Sequence, residues 1–201
     1  MIAHWAKKEN KSARKSVSFI LTNPIAKRKR MKKYKILFAD LDGTLIKTKS
    51  GETFPKGIWD MEFRFDVFDA IKKMQPCAVL IATNQGGIEI GFVGRKDFER
   101  KMEYIKCALR EYVGAFTEYA YCPCNDEDYY YRKPNTGMLV NLLHYARTNL
   151  LRYEDITKED CLMIGDASGK EGQFSDMDKK TAENFGIDYL DVDDFVEIIN
   201  K

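Results

Sequence analysis

No apolar run in this 201-residue chain approaches the roughly 20 residues that a membrane-spanning helix needs, which argues against a spanning role. Histidine is scarce, with copies only at positions 4 and 144, and cysteine comes in an odd number, five. An odd, scattered set of thiols is no disulfide framework and fits a reducing compartment. Cys122-Pro123-Cys124 is the single thiol cluster, yet a structural zinc site takes four ligands, and neither histidine nor a second cysteine pair lies near it. No structural zinc is expected. The start carries no signal-peptide pattern, because its apolar stretch, Val17 to Leu21, is too short and too far in. The expected setting is intracellular, in the cytoplasm or, for a eukaryotic source, the nucleus. Internal repeats are absent. Acid is nearly absent from residues 1–33, where eleven Lys/Arg face Glu9 alone and give +10. The other 168 residues hold 22 Lys/Arg and 30 acids, or −8, which returns the net +2. That asymmetry reads as a basic, flexible arm on an acidic domain spanning 34–201, with a polyanion such as nucleic acid as the arm's natural partner.

Beyond the arm, strand and helix patterns alternate. Strands are predicted at 35–40, 77–82, 116–121, 161–165 and 187–190, and helices near 65–75, 95–113, 136–150, 176–185 and 192–200. Such alternation predicts an α/β fold with a doubly wound, mainly parallel sheet. Residues 47–53 read as the tip of a small hairpin flap with Ser50-Gly51 at its turn. Between Thr44 and the second strand there is room for that flap and one helix, but not for a large cap domain.

The chemistry gathers at strand ends. Ile36-Leu37-Phe38-Ala39 runs into Asp40-Leu41-Asp42-Gly43-Thr44, placing two carboxylates at the carboxyl edge of the sheet, where open α/β sheets bind ligands. One carboxylate can act as nucleophile while the other handles a proton. Thr83-Asn84-Gln85-Gly86-Gly87 follows the second strand and offers a hydroxyl, an amide and backbone N–H groups to phosphate oxygens. Arg132-Lys133-Pro134 supplies a fixed positive charge, and Gly165-Asp166 follows the fourth strand with Asp176 and Asp178 some ten residues on.

Taken in order, DxDGT, the threonine, the lysine and the GD motif resemble the haloacid dehalogenase (HAD) superfamily of phosphohydrolases. More narrowly, DLDGTLIKTKSGETFPKG, TNQGGI, YRKPNTGM and GDASGK resemble the 3′-phosphatase domain of polynucleotide kinase/phosphatase, from about Lys35 to Phe195. The resemblance implies an HAD-like Rossmannoid fold and magnesium-dependent removal of 3′-phosphate from DNA ends, in end repair. It makes Asp40 the nucleophile that forms an aspartyl-phosphate and Asp42 the proton donor, then acceptor. Thr83 would bind the phosphoryl group and Lys133 would neutralise charge. Asp40, Asp166 and the Asp42 carbonyl would hold Mg²⁺, with Asp178 preferred to Asp176 as the supporting acid and Asn84 beside it. Substrate contacts are expected from Lys47, Lys49, Ser50, Gly86 and Arg132, with Lys56 also near the mouth and Trp59 and Tyr129 to Tyr131 as stacking candidates. No P-loop is present, since GDASGKE fails its spacing and its last residue, so kinase activity is not expected. The rival readings are a sugar-phosphate or histidinol-phosphate phosphatase of the same superfamily and, more remotely, a receiver-like signalling module.

Overall fold

The computed structural model describes residues 32–201, apart from 53, 54, 56, 150–154 and 174. The basic arm lies outside the described residues except for Lys32 and Lys33, and Lys56 lies outside them too. Five parallel strands form one sheet in the order β5-β4-β1-β6-β7. They are β1 (Ile36–Ala39), β4 (Ala78–Asn84), β5 (Phe116–Cys122), β6 (Cys161–Gly165) and β7 (Asp188–Asp191). A separate two-stranded antiparallel ribbon, β2 (Ile46–Thr48) with β3 (Met61–Phe63), leaves the sheet just after β1.

The three central strands, up to the Thr83-Asn84 end of β4, are apolar without a break because helices cover both faces. Alternation within each strand decides which face a residue serves. Leu37, Ala39, Val79, Ile81, Leu162 and Ile164 pack on one side, while Ile36, Phe38, Ala78, Leu80, Cys161 and Met163 pack on the other. The first side is closed by α1 (Phe65–Met74), α2 (Arg95–Val113) and α5 (Val192–Asn200), the second by α3 (Gly137–Asn149) and α4 (Met177–Phe185). On α2 the buried face is Phe98, Met102, Ile105 and Leu109, a helical stripe on an otherwise charged helix.

The strand order puts a switch point at β1. The chain passes from β1 outward to β4 and β5, then returns to add β6 and β7 on the other side. Loops after β1, β4 and β6 therefore open onto one crevice at the sheet's carboxyl edge. No helix among the described residues is long and apolar enough to cross a membrane.

Every predicted main-sheet strand and helix is present, with ends shifted by at most two residues. The ribbon's return strand, β3, was not predicted. Its three residues pair with Ile46–Thr48, so the flap is longer than the 47–53 tip read from the sequence. Asp60, 1% exposed, closes the ribbon's outer end by accepting from the Ser50 N–H and hydroxyl, both at 2.8 Å.

Candidate active site

Asp40 is the first residue past β1, and its backbone N–H donates to the Ile164 carbonyl of β6 at 3.0 Å, which pins the turn to the sheet. Both acids thus stand beyond the regular strand rather than side by side on it. The turn parts them, sending Asp40 towards Lys133 and Asp42 towards Gln85. Gly43 makes the turn possible. It has a φ of +81°, and a Cβ at that position would run into the Asp166 carboxylate. Gly165 serves the same need for close approach, since a Cβ there would strike the Asp178 carboxylate.

Lys133 is the hub. Its ammonium donates to Asp40 Oδ1 at 2.5 Å and to Asp178 Oδ1 at 2.6 Å, and the side chain is 4% exposed. Its backbone is held from the other side, where the Asn84 amide accepts from the Lys133 N–H at 2.9 Å and donates to the Lys133 carbonyl at 3.1 Å. Asn84 therefore fixes where the charge sits. Asp178 also accepts from the Ala167 N–H at 3.2 Å, and Thr44 donates to Asp166 Oδ1 at 3.4 Å.

One ligand atom each from Asp40, Asp166 and Asp178 falls within 4.8 Å of the others. Ionised, these three with Lys133 carry −2, and the electrostatics show the strain. Burial, with Asp178 and Asp166 nearby, pushes Asp40 well above the usual carboxylate range against the pull of Lys133. Burial and then Asp178 push Asp166 up to about 6. Burial on its own would lower Lys133, but Asp178 and Asp40 outweigh it and raise it. A buried, all-oxygen, over-negative cluster is the donor set that a hard divalent cation satisfies, and it fits Mg²⁺. Asp178, 1% exposed, belongs to this cluster, whereas Asp176 precedes α4 and pairs with Lys180 at 2.9 Å.

On the other side of Asp40, Thr83 is 1% exposed, and its hydroxyl accepts from Gln85 Nε2 at 3.0 Å. The same Gln85 nitrogen donates to Asp42 Oδ2 at 2.7 Å, while Asp42 Oδ1 is buried with no hydrogen-bond partner. Two residues that the sequence reading did not assign bear on this part of the site, Gln85 by contact and Lys101 through the charge of Asp42. Gln85 was legible as part of TNQGG but not as the link between Thr83 and Asp42. Lys101 lies on the apolar stripe of α2, 9% exposed with its ammonium 5.3 Å from the Phe98 ring centre. Burial lowers its pKa and the charge of Asp42 opposes that. Its place three residues after Phe98 and four before Ile105 was the available signal.

The predicted substrate contacts are more scattered. Lys47 and Lys49 stand exposed on the flap, Lys47 within 3.8 Å of Glu62. Ser50 gives its hydroxyl to Asp60. Gly86 is packed so closely under Asn125 that a Cβ would strike its amide, and its carbonyl accepts from that amide at 3.0 Å. Arg132 turns into the cysteine loop and donates to the Cys124 carbonyl at 2.8 Å, so its guanidinium is not aimed at the acidic cluster. Tyr129, Tyr130 and Tyr131 pack largely on one another, with centroids 5.3–5.7 Å apart, and Trp59 is 67% exposed.

The sequence model of the family described as polynucleotide kinase 3 phosphatase matches residues 35–196, which span every strand and helix above but the last turn of α5. The chain belongs to this family. It is 31% identical to the bifunctional polynucleotide phosphatase/kinase of Schizosaccharomyces pombe across 82% of its own length but only 38% of that protein's. It is also 30% identical to the D-glycero-β-D-manno-heptose-1,7-bisphosphate 7-phosphatase of Helicobacter pylori strain J99, over 66% of this chain and 72% of the other. Among solved structures, the D,D-heptose 1,7-bisphosphate phosphatase of B. bronchiseptica, complexed with magnesium and phosphate, superposes with a TM-score of 0.56 at 21% identity. That match covers 77% of this chain and 78% of the other. The fold is HAD-like, with no large cap among the described residues, and the protein is a phosphatase of the HAD superfamily.

Proposed function

We propose that this phosphatase removes the 3′-phosphate from DNA ends, inside the cell and in the service of end repair, through an aspartyl-phosphate. The carboxylate of Asp40 attacks phosphorus, and the bond to the 3′ oxygen breaks as Asp42 gives that oxygen a proton. Asp42 then takes a proton from water, which attacks the same phosphorus and returns Asp40 with release of inorganic phosphate. Thr83 and Lys133 hold the phosphoryl oxygens, and Asn84 keeps Lys133 in place. Asp40, Asp166 and the Asp42 carbonyl would hold Mg²⁺ with Asp178 in support, and the bound ion would supply charge neutralisation at the transferring phosphoryl group.

One observation carries the chemistry: Asp40, Lys133, Asp166 and Asp178, drawn from separate segments, meet in one buried cluster at the sheet's carboxyl edge. The choice of a DNA end rests on the family match over residues 35–196 and on a small flap that leaves room for a chain terminus. The heptose relatives support a second reading, a small sugar-phosphate substrate.

A single comparison separates the two. Wild-type protein with Mg²⁺ is offered a 3′-phosphorylated oligonucleotide, a heptose bisphosphate and histidinol phosphate, with Asp40→Asn as control. The oligonucleotide should have the largest kcat/KM, and the variant should be inactive with an unchanged circular dichroism spectrum. Faster turnover of the heptose would replace the DNA reading with the sugar one.

A further inference from the structure

Phe92 is the most exposed large apolar side chain among the described residues, at 83%, and Ile90 beside it is 58% exposed. Both sit in the loop between β4 and α2. Exposure here is selective, because Ile88 and Val93 of the same loop pack against the core. The loop is also built to hold its shape. The N–H groups of Phe92 and Val93 donate to the Gly87 carbonyl at 2.9 and 3.3 Å, and that of Ile88 donates to Gln85 at 3.1 Å. Its far side is tied to the next loop through Glu89 N–H to the Pro123 carbonyl at 3.1 Å and Asn125 N–H to Glu89 Oε2 at 2.7 Å.

The ring's position gives the exposure a purpose. A Cβ placed on Gly87 would lie 3.8 Å from Phe92 Cβ, so the aromatic residue stands against Gly87. Gly87 is two residues, at most about 7 Å of chain, from Gln85. Gln85 in turn bonds the Thr83 hydroxyl and Asp42. From Asn84 to Gly94 the loop contains no Lys or Arg, and its one charged residue, Glu89, is already engaged with Asn125. What it offers at the rim of the phosphate site is an apolar, aromatic face.

We propose that Phe92 is a stacking platform for the base of the nucleoside that bears the 3′-phosphate, and so a specificity residue for polynucleotide ends. The inference rests on the polynucleotide reading above. A nucleobase presents a π-face one sugar away from the phosphorus, and any of the four bases can stack. A heptose phosphate has no aromatic group to place there. The loop thus favours nucleoside-bearing phosphates without contacting the reacting atoms.

The test compares wild type, Phe92→Ala and Phe92→Trp on two 3′-phosphorylated oligonucleotides, one with its terminal base and one abasic at that position. With the base present, Phe92→Ala should raise KM about tenfold or more and leave kcat nearly unchanged, while Phe92→Trp should stay near wild type. On the abasic end the three proteins should match. An equal KM for wild type and Phe92→Ala on the base-bearing end would overturn the proposal, as would an equal rise on both ends. If wild type turns over neither oligonucleotide yet hydrolyses heptose bisphosphate, the polynucleotide reading itself falls and this inference falls with it.

Discussion

A single side-chain nitrogen joins the two halves of the proposed site. Gln85 Nε2 donates to Asp42 Oδ2 at 2.7 Å and to Thr83 Oγ1 at 3.0 Å, so the group proposed for proton transfer and the hydroxyl proposed for phosphate share one donor. Gln85→Ala would leave the half-buried Asp42 with no hydrogen bond to orient it. Misplacement of a reacting group by about 1 Å costs on the order of a hundredfold. Gln85→Ala should therefore lower kcat about ten- to a hundredfold while shifting KM less, as steady-state kinetics would show. An unchanged kcat would mean that Gln85 merely packs. Residue-level legibility was uneven for the same physical reason. Asp40, Thr83, Lys133 and Asp166 sit at strand ends or in short motifs whose residue types announce their chemistry. Gln85, Lys101 and Phe92 depend on which way a loop or helix turns, and composition does not encode that.

At the scale of elements, the main sheet and its helices were legible because burial on two faces leaves unbroken apolar strands and striped helices. The ribbon was not, since three-residue strands such as Met61–Phe63 carry too little pattern to stand out from a loop. The segment from Ala167 to Asp176 carries a further device hidden from sequence periodicity. Asp191, which caps the start of α5, is 4% exposed and accepts from the Ser168 hydroxyl at 2.8 Å and the Gln173 amide at 2.6 Å, with Lys170 at 3.1 Å. This anchors the loop that carries Asp166 at one end and leads to Asp178 at the other. Burial opposes ionisation of Asp191, yet these donors prevail and hold its pKa below the ordinary value. A depressed folded pKa means that its stabilisation is complete above the unfolded pKa and is lost as pH falls through the folded one. Asp191→Asn should cost about 1–3 kcal/mol at neutral pH in urea unfolding. The gap to wild type should narrow below about pH 4. A constant gap across that range would mean that the carboxylate's charge plays no part.

Across the whole molecule, charge is divided in a way that bears on how a polyanion is met. Residues 34–201 carry −8 and would repel a nucleic-acid chain at long range, although the substrate proposed for the site within them is the end of such a chain. Residues 1–33 carry +10. An acidic body with a basic arm is consistent if the arm captures the strand and the strand end alone enters the site. Deleting residues 1–31 removes nine Lys/Arg and one acid, a change of −8, while leaving the family-matched region 35–196 whole. Turnover of a small phosphate ester should then be unchanged. Affinity for a 3′-phosphorylated oligonucleotide should fall, and its dependence on salt should flatten. Each strand phosphate that the arm no longer neutralises takes about 0.7 off the slope of log K against log salt for a single strand. Titration of both proteins at several salt concentrations measures that slope directly. If the two slopes coincide, the arm does not touch the strand, and capture must come from local positive groups such as Lys47 and Lys49 on the flap, within a domain that is acidic overall.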